Sequence, residues 1–167
     1  MSRALAFVGT VGVALGLAVA ACGEGASRTP SGTPIADLVA AGKAPVVVLG
    51  VHRSMGPVPA FRCRVRNLSD RKVTAVSWTT VFRTADGKPL GTPVEGGYAD
   101  SISPIGPGDE IEGAFPAPDD AASEAVVVVR RVLYDAPNPM GEAFGSLTMK
   151  WDNPGHDADV AAAAGKP

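Results

Sequence analysis

Phe61-Arg62-Cys63-Arg64-Val65-Arg66-Asn67 alternates strictly between apolar and charged residues. Successive side chains of a strand point to opposite faces, so Phe61, Cys63 and Val65 share one face and three arginines the other. A helix would scatter the arginines around its circumference. The stretch is therefore a strand covered on one side and wet on the other. Asn67-Leu68-Ser69-Asp70-Arg71 follows. Its short polar side chains can bond their own backbone, so it reads as a turn.

Working outward, the period of two persists. Downstream, Val73 to Thr84 is rich in Val, Thr, Trp and Phe, with Val76, Trp78 and Phe82 on one face. Asp86-Gly87 closes it with a hairpin signal. Upstream, Val46 to Val51 is an apolar run of strand length. Further candidates are Tyr98 to Ile105, Glu110 to Phe115 after the turn Gly106-Pro107-Gly108-Asp109, and Ala125 to Tyr134. Gly145 to Asp152 ends the pattern, with Leu147, Met149 and Trp151 facing one way and Thr148, Lys150 and Asp152 the other. About seven strands in ~110 residues predict an all-β protein, an immunoglobulin-like antiparallel β-sandwich over 45–153. A small barrel is the rival closure.

Composition agrees with one light-cored domain. Hydrophobic residues make up 46% and aromatic ones 5%, so valine and leucine must fill the interior. A net charge of −2 gives no electrostatic case for binding nucleic acid.

The N-terminus has a separate logic. Arg3 precedes an uncharged run, Ala4 to Ala21, and small residues then lead into Cys22. That order fits a secretory signal. The run approaches the ~18 residues of a membrane-spanning helix, but Gly9, Gly12 and Gly16 and the many alanines weaken that alternative. Val19-Ala20-Ala21-Cys22 resembles the lipobox of bacterial lipoproteins. The resemblance implies that residues 1–21 are a cleaved lipoprotein signal peptide and that the Cys22 thiol receives a diacylglyceryl group. The partner so implied is a membrane, engaged through acylated Cys22. Two or three acyl chains, at ~0.8 kcal/mol per buried methylene, hold a protein firmly. Gly23 stands where inner-membrane retention in Gram-negative lipoproteins would carry aspartate. The implied location is thus the outer membrane facing the periplasm in a Gram-negative host, or the cell membrane in a Gram-positive one.

Residues 22–44 are sprinkled with Gly, Ser, Thr and Pro and read as a lipidated flexible tether. Within them Ile35 to Gly42 has the form of a short helix ended by glycine, although the composition favours linker. Residues 154–167 read as a disordered tail.

Chemistry-bearing residues are sparse. His52 and His156 lie far apart, and no spacing makes metal or acid-base ligands converge, so neither a metal site nor a cofactor is expected. The acidic stretch Asp152 to Asp159 lacks the ligand order of a calcium loop. Cys63 alternates with Phe61 and Val65 and reads as a small buried hydrophobe; with Cys22 acylated it has no disulfide partner. No Gly-x-Ser-x-Gly or Ser-x-x-Lys pattern occurs, so no catalytic residue is assigned.

Two features suit binding. Arg62, Arg64 and Arg66 form a row with ~6.6 Å spacing that could meet lipid phosphates or an acidic partner, or pair with acids on neighbouring strands. Val126-Val127-Val128-Val129 is apolar on both faces, so a loop of the chain or a partner must cover its outer side.

Asn67-Leu68-Ser69-Asp70, Trp78, Phe82, Asp86-Gly87 and Ile105-Gly106-Pro107-Gly108-Asp109-Glu110 together resemble the small immunoglobulin-like domains of bacterial envelope lipoproteins, of the FxLYD type or YcfL-like. Arg83 and Thr84 stand where those groups often carry further aromatics. The resemblance implies fold and location, without a shared catalytic site. The functional expectation is a non-enzymatic, envelope-tethered binding or assembly module with a possible envelope protein partner. The alternative is a lipoprotein that captures a small molecule or metal for transport.

Overall fold

The structure, a computed structural model, describes residues 32–165 apart from 55, 57, 58 and 101. The expected signal peptide 1–21, the lipidation residue Cys22 and the tether up to residue 31 lie outside the described residues. Seven strands follow a short helix: α1 (Ile35–Ala40), then β1 (Val46–Ser54), β2 (Ala60–Asn67), β3 (Val73–Arg83), β4 (Pro89–Ala99), β5 (Glu110–Pro116), β6 (Glu124–Ala136) and β7 (Leu147–Asp152). A C-terminal helix, α2 (His156–Ala163), completes the chain.

The strands form two antiparallel sheets, ordered β1-β2-β5 and β4-β3-β6-β7. This is the all-β sandwich that the period-two pattern expects. The alternation of β2 holds along its length: Phe61, Cys63 and Val65 are buried and the arginines exposed. They pack against Val76, Trp78 and Phe82 of β3, with Val132 from β6. Phe61, Phe82 and Phe115 form a triangle of rings with centroids 5.6–6.2 Å apart, plugging one end.

Asn67 ties two turns together. Its buried side-chain amide donates to the carbonyls of Arg71 (2.7 Å), Ile105 (2.9 Å) and Gly106 (3.1 Å), while its Oδ1 accepts from the Ser69 amide and hydroxyl. A buried amide so fully satisfied fixes both loops at once. The Asn-x-Ser and Pro-Gly turns, remote in sequence, are thus one structural unit.

Three expectations need correction. The first concerns β4, which runs Pro89–Ala99 rather than through Tyr98 to Ile105. Its Pro and Gly content conceals it, yet β4 is an edge strand, where missing donors are tolerated. Beyond Ala99 the chain loops, returning only as a single bridge between Ile105 and Val73.

The second concerns the tether, whose part from residue 32 onward belongs to the domain. Thr33 bridges to Ser69, and Leu38 of α1 is buried. Gly42 (φ +67) ends α1, with its amide bonded to the Val39 carbonyl and that of Lys43 to Leu38. This double closure is a Schellman motif, which favours glycine in the left-handed region.

The third concerns residues 154–167, expected as a disordered tail. Over 156–163 they form α2, which lies on the outer face of the four-stranded sheet. Ala163, Ala164 and Val160 pack on Val81, Val126 and Val128. Alanines bring the helix close, and the Arg83 guanidinium donates to the Ala163 carbonyl, satisfying an acceptor orphaned at the helix end. The outer face of the valine run is therefore covered by the chain itself.

Candidate functional site

The arginine row lies on the outer face of the three-stranded sheet. Pairing sets Arg66 opposite Glu110 and Arg64 opposite Glu112. Arg62 reaches diagonally to Glu112 at 2.5 Å, Arg66 bonds Glu110 through Nε at 2.9 Å and through Nη2, and Arg64 Nε stands 3.6 Å from Glu110. The hydrogen bond from Arg62 holds the Glu112 carboxyl below the usual range. Three guanidiniums thus meet two carboxylates on half-exposed ground, where such pairs contribute little. What remains for a partner is one surplus positive charge on a flat sheet face.

A cleft of about 330 Å³ opens between two facing edge strands, β4 of one sheet and β5 of the other. Trp78, Phe82 and Phe115 form its floor, Thr80 lies among them, and Val94 to Gly97 and Ala114 to Pro116 make its walls. Glycine faces the indole on both sides. A Cβ at Gly96 would stand 2.9 Å from Trp78 Nε1, and one at Gly113 3.3 Å from the ring's far edge. Those glycines admit the large ring at the open side of the sandwich. Trp78 is 2% exposed and its Nε1 has no hydrogen-bond partner among the described residues. An orphan donor of this kind is costly, and the cleft beside it is mostly apolar.

The structure gathers a polar group that the linear sequence scatters. Thr79 Oγ1 donates to Glu95 Oε1 at 2.9 Å and lies 2.9 Å from His156 Nε2. His156 Nδ1 is 2.8 Å from Asp157 Oδ1, and Arg130 Nη1 is 3.1 Å from Glu95 Oε2. Burial pushes the Glu95 carboxyl up, but the Thr79 hydroxyl, Arg130 and His156 outweigh it and leave it below its ordinary value. A hydroxyl, an imidazole and a carboxylate in series can serve nucleophilic catalysis. Here Thr79 is 3% exposed and its proton is engaged by Glu95, so the series acts as a clamp fastening α2 to β3. Sequence reasoning left His156 in a solvated tail. The acidic first turn and the alanines that follow were the signal that a helix places it.

Cys63 is fully buried and free, and burial pushes its thiol up to about 11. At neutral pH it is protonated and shielded, so it cannot act as a nucleophile. His52 faces outward beside Arg62, far from His156 in both sheet and sequence. Among the described residues no three His, Cys, Asp or Glu side chains converge to hold a metal ion, and no helix there is long and apolar enough to cross a membrane.

No family model and no curated protein matches this chain. An X-ray structure of a hypothetical protein from Peptoclostridium difficile 630 is similar in fold. It superposes with a TM-score of 0.56 over 74% of this chain and 93% of its own length, at 11% identity. At that identity the likeness concerns the sandwich architecture alone.

Proposed function

We propose that this chain is a lipid-anchored module of the bacterial envelope. Acylated Cys22 holds it at a membrane, and its β-sandwich binds or assembles with an envelope partner without catalysing a reaction. One observation carries the reading: Arg3, the apolar run to Ala21 and the lipobox ending in Cys22 occur in the order that export and acylation require. In a Gram-negative host the location is the outer membrane, facing the periplasm. Fractionation of cells tests it: wild-type protein stays with membranes, and Cys22→Ala is released. Retention of the variant in the membrane fraction sinks the reading.

A second reading is favoured by the cleft beside Trp78, whose size and apolar floor suit a small molecule. In that case the protein captures a ligand for transport. Purification from detergent-solubilised membranes separates the two. A stable protein partner supports assembly, and a bound small molecule without a partner supports capture.

A further inference from the structure

The ends of the sandwich differ in kind. Strand pairing places the turn 68–72, the β4–β5 loop (100–109), the β6–β7 loop (137–146), α1 and the entry at Gly32 at one end. The chain to Cys22 therefore leaves from that end, and about ten residues separate Gly32 from Cys22. Such a segment reaches ~35 Å at full stretch and ~18 Å as a coil. The domain is thus leashed by one known end.

Large apolar side chains are exposed at that same end. Ile102 is 92% exposed, Met140 70% and Phe144 62%, with Leu147 and Met149 partly exposed behind them. The opposite end, among the described residues, presents the polar turns Thr84 to Lys88 and Pro118 to Ser123 instead. Nor are the apolar tips loose. The Asp100 carboxylate accepts from the amides of Ile102 (2.8 Å) and Ser103 (3.0 Å), and the Tyr98 hydroxyl donates to the Ser103 carbonyl. Asn138 accepts from the Met140 amide and donates to the Phe144 carbonyl, and Gly141 and Gly145, which flank residues 142–144, both take positive φ. Polar clasps hold both loops with their apolar residues outward, where water alone would favour tucking them in.

We propose that this end of the sandwich is a bilayer-contact surface, with Ile102, Met140 and Phe144 seated in the interface of the membrane that holds Cys22. The proposal rests on the lipid-anchor reading. Charge argues for apolar burial as the driving force, because Asp37, Asp70, Asp100, Asp109, Asp135 and Glu142 outnumber Lys43, Arg71 and Lys72 there. Contact should therefore occur on zwitterionic lipid and withstand salt. It would hold the Trp78–Phe115 cleft and the opposite turns away from the membrane, toward whatever the module meets.

The test uses the mature acylated protein, beginning at Cys22, in phosphatidylcholine vesicles carrying bromines at shallow acyl positions. Phe144→Trp reports from the apolar end and Ala121→Trp from the opposite turn, each read after subtracting the native tryptophans. Phe144→Trp should lose about half its emission and shift to the blue, in ~1 M salt as well, while Ala121→Trp is unquenched. Protein that floats with vesicles but shows equal quenching at the two positions overturns the contact and leaves the anchor standing. Protein that does not float overturns both, because nothing then brings this end to a bilayer.

Discussion

Replacing Trp78 probes the core and the cleft together. A buried tryptophan removes up to about 250 Å² from water, equivalent to about 6 kcal/mol at ~25 cal/mol per Å². Residual compactness of the unfolded chain lowers that to about 4–5 kcal/mol. Against it stands the unpartnered Nε1 donor, whose burial costs about 1–3 kcal/mol and which any replacement relieves. Trp78→Ala should therefore destabilise the domain by about 3 kcal/mol, within the range seen for large aromatic deletions. Trp78→Phe keeps a ring between Gly96 and Gly113 and loses roughly 1 kcal/mol of burial, about what removal of the orphan donor returns. Its stability should lie within about 1 kcal/mol of wild type. Urea unfolding followed by far-ultraviolet circular dichroism gives both values, with the slope unchanged as a check on the unfolded state. A loss under about 1 kcal/mol for Trp78→Ala would show that the ring does not fill the core. A loss of about 2 kcal/mol or more for Trp78→Phe would show that the indole N–H is satisfied and the orphan argument mistaken.

Two other perturbations follow from buried polar groups. Cys63 has a thiol raised from an ordinary 9.0 to about 11 in the folded protein. Its contribution to stability is complete below pH 9 and is lost as pH rises toward 11, because only the unfolded thiol ionises there. The gap corresponds to about 3 kcal/mol, so denaturation midpoints of the wild type should fall across that window and those of Cys63→Ala should fall less. Parallel pH profiles would refute this. Asn67→Ala deprives three carbonyls of one amide and should cost about 2–4 kcal/mol, with faster hydrogen exchange in both the 68–72 and 105–109 loops. Exchange that quickens in one loop alone would show that the amide does not couple them.

β2 was legible because it buries one face against the opposite sheet, and burial writes itself into alternation; β3 and β6, covered on both faces, were legible from their β-branched and aromatic runs. β4 was not, since only Leu90 and Tyr98 of its side chains are even half-buried, so no alternation marks it. Its Gly96 is there to admit the Trp78 ring, a tertiary demand with no local signature. The valine run on β6 did announce a missing cover. Only the fold shows that the cover is α2, whose alanine and aspartate composition reads equally as solvated tail. The arginine row was placed on the right face, but its neutralisation depends on register, which puts Glu110 and Glu112 alongside. The cluster around His156 joins residues 77 positions apart and could not be read locally.

Mass spectrometry of the protein purified from membranes reads the modification of Cys22 directly. The predicted result is a mature chain beginning at Cys22, lacking residues 1–21, with the mass of a diacylglyceryl thioether on the N-terminal peptide. A chain that retains Met1 to Ala21, or an N-terminal peptide with an unmodified Cys22 thiol, would contradict it.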